Sequence, residues 1–265
     1  MNLQELCEKT AEVAREAGRF IRSERRFIRS DDVQLKSKAS LVTYVDKQSE
    51  KFLVEQLQQL LPQAGFITEE GTATTCGQQW NWVIDPLDGT TNFVHDIFPH
   101  SVSIGLLCDN VPVLGAVYEI GHDEMFTAWQ GGGAWLNGRR ISVSKADRHE
   151  DVLLATGFPY YNFELLGQYL KLLEFFMIET QGMRRMGSAA VDMAYVACGR
   201  FDGFFEHALH PWDIAAGIIL VQEAGGRISD FKGGNNHLFG KEIVASNAAY
   251  FPQFFQKVNE FLGQP

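Results

Sequence analysis

The chain has 265 residues, 45% of them hydrophobic, so it can bury a sizeable core as one large domain or two smaller ones and is not a disordered chain. Its 33 acidic and 23 basic side chains leave a net charge of −10, which argues against direct nucleic-acid binding, because that relies on basic residues neutralising phosphates. A phosphorylated small molecule stays open as a ligand, since a bound metal inverts local charge.

No apolar run is long enough to span a membrane, so no stable membrane insertion is expected. Met1 to Phe20 carries no signal-peptide core. Cys7, Cys76, Cys108 and Cys198 lack Cys-x-x-Cys spacing, which points to reduced thiols and a cytoplasmic protein rather than to zinc or disulfides.

Leu3, Leu6, Thr10, Val13, Ala14, Ala17 and Ile21 recur at helical spacing between charged residues, predicting an amphipathic helix. Val33 to Val45 reads as extended. A second helix follows, with Asp46 placed to cap it and Phe52, Leu53, Leu57, Leu60 and Leu61 on its apolar face before Pro62. Phe66-Ile67 predicts a short strand leading into Glu69-Glu70-Gly71, and Thr72 to Gln79 a polar loop. Trp82-Val83-Ile84 suits a buried strand, which Pro86 and Gly89 are expected to end. Strands are predicted over Ser101 to Leu107, Val111 to Ile120, Met125 to Trp129, Ala134 to Leu136 and Arg139 to Val143. Asn137-Gly138 gives the signal for a type I′ hairpin turn. Helices followed by an antiparallel meander make this half α+β.

Ser144 to Asp151 is polar and reads as a join between two halves, 1–145 and 146–265. Beyond it strands and helices alternate in α/β fashion. Val152 to Thr156, Phe204-Phe205, Arg227 to Ser229 and Ile243 to Ala245 are predicted strands. Leu165 to Phe176, a segment opened by Gly187-Ser188-Ala189-Ala190, Asp213 to Ala224 and Tyr250 to Leu262 are predicted helices.

Four acids stand at strand and helix ends: Glu70, Asp85, Asp88 and Asp213. Taken alone, Glu70 reads as a solvated turn acid and Asp213 as a helix cap. As a set without neighbouring lysines they need a cation if they meet. Oxygen ligands without clustered histidine or cysteine favour Mg²⁺ or Mn²⁺ over Zn²⁺. Two such ions about 4 Å apart clamp a phosphate and supply a water nucleophile, and no Gly-x-Ser-x-Gly elbow offers a covalent one. The small residues opening the Gly187 helix would let backbone N–H groups approach an anion, although close helix packing explains them equally well.

With these residues assembled, the chain resembles the inositol monophosphatase family of lithium-sensitive, magnesium-dependent phosphatases over nearly its whole length. The signatures are Glu69-Glu70, the run Trp82-Val83-Ile84-Asp85-Pro86-Leu87-Asp88-Gly89-Thr90-Thr91-Asn92-Phe93, and Trp212-Asp213-Ile214-Ala215-Ala216-Gly217 continuing to Glu223-Ala224-Gly225-Gly226.

The resemblance implies an αβαβα layered sandwich, with an antiparallel N-terminal sheet and a second C-terminal sheet, and a homodimer. It implies two or three Mg²⁺ ions, with Mn²⁺ as a substitute. Glu70, Asp85 and the Leu87 carbonyl would hold the first, and Asp85, Asp88 and Asp213 the second. Thr90 would orient the nucleophilic water with Asp46 as its acidic partner, and Glu70 would act through a third ion.

By the same resemblance, Asp88, Gly89, Thr90 and the Gly187, Ser188, Ala189 turn would bind phosphate, and Glu206 and Asp213 sugar hydroxyls. The expected reaction is hydrolysis of a phosphate monoester of a small polyol, myo-inositol monophosphate above all. The short loop 71–79 favours it over siblings acting on histidinol phosphate, fructose 1,6-bisphosphate or 3′-phosphoadenosine compounds. A lipid-linked inositol phosphate could use the aromatic loop Phe158 to Phe163. A reading of another class is a regulatory partner of the transcription machinery, with Arg184 and Arg185 as the surface to test.

Overall fold

The computed structural model describes residues 1–28, 34–37, 40–73, 75–159 and 162–263. Helix α1 (Leu3–Glu24) starts where the Asn2 side chain accepts from the Glu5 N–H, and it buries Leu6, Val13, Ala14, Ala17 and Ile21 on one face. Strands β1 (Gln34–Ser37) and β2 (Ser40–Val42) form an antiparallel hairpin. Helix α2 (Tyr44–Leu60) is capped by Thr43 rather than by Asp46. Asp46 stands one turn in and accepts back from the Thr43 N–H, so the two form a capping box.

The larger sheet runs in chain order through β3 (Gly65–Thr68), β4 (Trp80–Asp88), β5 (Ser101–Cys108), β6 (Val111–Glu119), β7 (Glu124–Trp129), β8 (Gly133–Leu136) and β9 (Arg139–Ile141). All neighbours are antiparallel except β3 and β4, which run parallel. Asn137 and Gly138 turn the last hairpin with positive φ at both positions, as a type I′ turn requires.

Strand β4 does not stop at Pro86. It continues to Asp88 through a bulge: Asp85 pairs with Ser103 and Asp88 with Ser101, so Pro86 and Leu87 face one residue of β5. A bulge leaves its extra residue unpaired, which is where a proline lacking an N–H can sit within a strand. A short helix, α3 (Thr90–Val94), follows directly, with Gly89 at φ 88° opening it. The sequence pattern did not show this helix, because five residues are too few to display a period.

The second half contains β10 (Leu153–Thr156), α4 (Leu166–Glu179), β11 (Gly182–Arg184), α5 (Ala189–Ala197), β12 (Gly203–His207), α6 (Pro211–Glu223), β13 (Gly226–Ser229), β14 (Glu242–Asn247) and α7 (Phe251–Leu262). Its sheet has the order β11-β10-β12-β14-β13, parallel around β10 and antiparallel around β14. The Ser144 to Asp151 stretch is pinned rather than loose. The Ser144 hydroxyl donates to Asp202 Oδ1, and the Asn247 amide donates to Ser144 and to the Ala146 carbonyl.

Three hydrophobic layers fix the stacking. The first packs α1 and α2 on one face of the larger sheet, through Ile21, Leu53, Trp82 and Ile104. The second fills the space between the sheets with α5 and α6, joining Val83 and Phe126 to Val191, Ile218 and Phe204. The third packs α4 and α7 on the far face of the smaller sheet, through Leu172, Phe176, Phe205 and Phe254. The result is the five-layer α-β-α-β-α order. Helix α6 explains its own composition: Ala215 and Ala216 press against Gly105 and Gly115 of β5 and β6, where any Cβ on either glycine would meet the helix. Among the described residues, no helix is long and apolar enough to cross a membrane.

Candidate active site

The end of β4, the start of α5 and the start of α6 meet at one cavity of about 280 Å³, into which Glu69, Asp88, Gly187, Ser188, Ala189, Glu206 and Asp213 face. The β4 bulge sets the first part of this geometry. Asp85 is buried, and its Oδ1 accepts from the Leu87 N–H at 3.0 Å. The Leu87 carbonyl lies 3.0 Å from Thr90 Oγ1, which is 2.9 Å from Asp46 Oδ1. The other oxygen of Asp46 accepts from the Thr43 N–H at 2.8 Å and the Thr43 hydroxyl at 2.6 Å. Asp46 is therefore a buried brace that ties the α2 cap to Thr90. Burial raises its pKa, and the bonds from Thr43 and Thr90 oppose the rise.

The two halves join at Asp88. Its Oδ2 accepts from the Ser188 hydroxyl at 2.6 Å and the Ala190 N–H at 2.8 Å. Gly89 makes this approach possible. A Cβ there would sit 3.0 Å from the Pro99 carbonyl and 3.2 Å from that of Gly187. Asp213 stands in the first turn of α6, with Oδ2 accepting from the His210 N–H at 2.6 Å, so it caps the helix while facing the cavity.

Parallel pairing decides which glutamate joins the set. Thr68 is in register with Ile84, and the Glu69 N–H bonds the Ile84 carbonyl at 3.3 Å. One step further along sets Glu69 beside Asp85, close enough that its charge raises the Asp85 carboxyl group. Glu70 was the residue expected here. Instead its backbone N–H goes to Glu50 Oε2 at 2.7 Å, and it does not line the cavity. Buried Glu50 also accepts from the Thr72 N–H at 2.7 Å, so it holds the turn that presents Glu69.

Sequence reasoning chose Glu70 from the Glu69-Glu70 pair, and the choice fails because it depends on the strand register, which adjacent acids do not reveal. Glu50 was missed because a charged residue on an amphipathic helix carries no signal of burial. Gly187, Ser188, Ala189 and Glu206 all line the cavity as expected. Tyr160 and Tyr161 of the aromatic loop lie outside the described residues.

The electrostatics are those of a site short of positive charge. Burial raises Asp85 well above the ordinary carboxylate range, and the charges of Glu69, Asp88 and Asp213 raise it further. Asp88 is pushed up to about 6 by burial, against the bonds from Ser188 and Ala190. Asp213 is raised well by burial and by Asp88. Arg185 is the cation that faces them from the cavity wall, and it favours the charged form of Asp88 and of Glu206.

Among the described residues no three His, Cys, Asp or Glu side chains are already drawn into a cation cage. The donor set nevertheless fits a hard divalent ion. It offers carboxylates and a carbonyl whose repulsion a cation would relieve, although His207 and His210 also line the cavity. Glu69, Asp85, Asp88, Asp213 and the Leu87 carbonyl are the groups able to hold it.

Comparison with known proteins shows the family and the fold. The model of the inositol monophosphatase family matches residues 2–261. The chain is 43% identical over 237 residues to the Nus factor SuhB of Salmonella typhimurium, covering 88% of each chain. It is 40% identical over 237 residues to the inositol-1-monophosphatase of Mesorhizobium japonicum, covering 89% of each. Among solved structures, the extragenic suppressor protein suhB of Bartonella henselae superposes with a TM-score of 0.89 at 40% identity, over 94% of this chain and 96% of that one. The inositol monophosphatase of Anabaena superposes with a TM-score of 0.85 at 34% identity, over 98% of both.

Proposed function

Because the chain belongs to the inositol monophosphatase family, we propose that this phosphatase-type hydrolase is Mg²⁺-dependent and acts on myo-inositol monophosphate. The observation that supports it most is the meeting of Glu69, Asp85, Asp88 and Asp213 at the join of the two halves. Mg²⁺ bound by these groups would neutralise them, draw in the phosphate and activate water.

The remaining steps belong to the chain itself. Asp46 holds the Thr90 hydroxyl in place, so Thr90 Oγ1 can orient an attacking water and take its proton while passing its own to Asp46 Oδ1. The start of α5 offers backbone N–H groups to phosphate oxygens. Asp88 and the Ser188 hydroxyl already engage those of Ala190 and Val191, and neither bond uses the Ala189 N–H. Glu206, which lines the same cavity, can take a hydroxyl of the alcohol, and burial lifts it to about 8. A cavity of about 280 Å³ suits a small polar ester better than a long chain.

Phosphate release from myo-inositol 1-phosphate, histidinol phosphate, fructose 1,6-bisphosphate and 3′-phosphoadenosine 5′-phosphate, with Mg²⁺ and with EDTA, tests the proposal. A clear preference for one of the other three would replace the substrate. Activity unaffected by EDTA would remove the metal.

The homodimer belongs to the same proposal. Leu170, Met177 and Ile178 of α4 are exposed and apolar, and sedimentation of the purified protein would show whether they are covered by a second copy. A second reading draws on the relative called a Nus factor: a role as a partner of the transcription machinery, independent of catalysis. Exposed Arg184 on edge strand β11 is the surface to alter. Binding to purified transcription proteins that survives Asp88→Asn and is lost in Arg184→Ala would support it.

A further inference from the structure

Asp192 belongs to none of the roles above, yet it faces the same cavity. It stands in the first turn of α5, is 1% exposed, and its Oδ1 has no hydrogen-bond partner among the described residues. A buried carboxylate oxygen without a bond from the chain is one that a donor from outside the chain can satisfy. The charge that acts on it most strongly is that of Glu206, and Arg185 favours the charged form of both acids.

The Glu206 carboxyl group lies against Gly157. A Cβ on Gly157 would overlap that carboxyl group and displace it, so the glycine leaves room for Glu206 in its present position. The Gly157 carbonyl is in turn held by the Tyr169 hydroxyl. Two interacting carboxyl groups thus line the cavity that Glu69 also faces. Arg185 already offsets part of their charge, so what they need is hydrogen-bond donors more than a second cation.

We propose that Asp192 is a specificity-determining residue that accepts a hydrogen bond from a ring hydroxyl of a polyol phosphate, beside the hydroxyl taken by Glu206. This rests on the polyol phosphatase reading given above. Selectivity follows from the same physics: an alcohol without the hydroxyl would leave the buried oxygen unsatisfied, so the site discriminates against it.

The test compares myo-inositol 1-phosphate with cyclohexyl phosphate, the same ring without the hydroxyls, at saturating Mg²⁺. The parent protein should prefer the inositol ester in kcat/KM. Asp192→Ala should lower kcat/KM for that ester by about tenfold or more, chiefly through KM, and change it for cyclohexyl phosphate by less than about twofold. Asp192→Asn keeps an acceptor oxygen and should recover most of the loss. It also keeps the volume of the side chain, so it serves where the alanine variant melts early.

Equal loss on both esters, or a preference unchanged in both variants, would overturn the role of Asp192 and leave the phosphatase reading standing. A parent protein that hydrolyses both esters without preference would overturn polyol selectivity itself. A parent that hydrolyses neither would overturn the reading on which it rests.

Discussion

The Ser188 hydroxyl donates to Asp88 Oδ2 over 2.6 Å, linking residues 100 positions apart at the seam between the two sheets. Ser188 is buried, and its oxygen also receives the Val191 N–H, so it caps α5 and fixes Asp88 at once. Ser188→Ala should therefore act on both. It should cost about 1–3 kcal/mol in urea unfolding, from a lost cap and a lost bond to a carboxylate. It should also weaken Mg²⁺ binding by calorimetry. Unchanged stability would mean that the Ala190 N–H alone holds Asp88.

Glu69 and Glu70 are neighbours in sequence with different surroundings. Glu69→Gln should lower kcat by about a hundredfold or more, as removal of a charged group from a metal and phosphate site does. Glu70→Gln should stay within a few-fold of the parent, since the Glu50 contact uses the Glu70 backbone. A phosphate-release assay on both variants decides the assignment, and the reverse order would restore Glu70.

The raised carboxylates predict a pH dependence of stability in the presence of EDTA. Asp88 is lifted to about 6 and Glu206 to about 8, with Asp85 and Asp213 raised as well, all chiefly by burial. A folded-state value above the unfolded one means that the folded protein holds protons the unfolded chain has released. This contribution is fully present below the ordinary carboxylate range. It drains away as pH rises through about 6 for Asp88 and about 8 for Glu206. The melting temperature with EDTA should fall from about pH 5 to about pH 8, and Mg²⁺ should raise it more at the upper end. A melting temperature that rises over this range in EDTA would contradict the charge assignment.

The pairing of Asp46 with Thr90 predicts a split between binding and turnover. Thr90→Ser keeps the hydroxyl and should keep most of kcat. Thr90→Val should lower kcat by about 10²–10⁴-fold with KM little changed, if the hydroxyl handles the proton of the attacking water. Equal activity in both variants would leave Asp46 and Thr90 with a structural task alone.

Much of the architecture could be read from periodicity. Helices α1, α2, α6 and α7 and the β5 to β9 meander follow from 3.6-residue and 2-residue patterns and from turn residues such as Asn137-Gly138. The exceptions share a cause. The course of β4 past Pro86, helix α3 and strand β11 are each set by tertiary pairing over a few residues, too short for a pattern to show. Asp85, Asp88 and Asp213 were legible because acids stood where strands and helices end. Glu69 was hidden because the choice between adjacent acids depends on the β3–β4 register. Asp192 was hidden inside a helix whose neighbours look like ordinary core.

The central claim is that carboxylates from both halves of the chain form one cation-dependent phosphatase site. Phosphate release from myo-inositol 1-phosphate by the parent protein and by Asp213→Asn, each at saturating Mg²⁺ and in EDTA, tests it most directly. The account predicts turnover only by the parent with Mg²⁺, with Asp213→Asn folded by circular dichroism and inactive. Turnover by Asp213→Asn at the parent rate, or by the parent in EDTA, would contradict it.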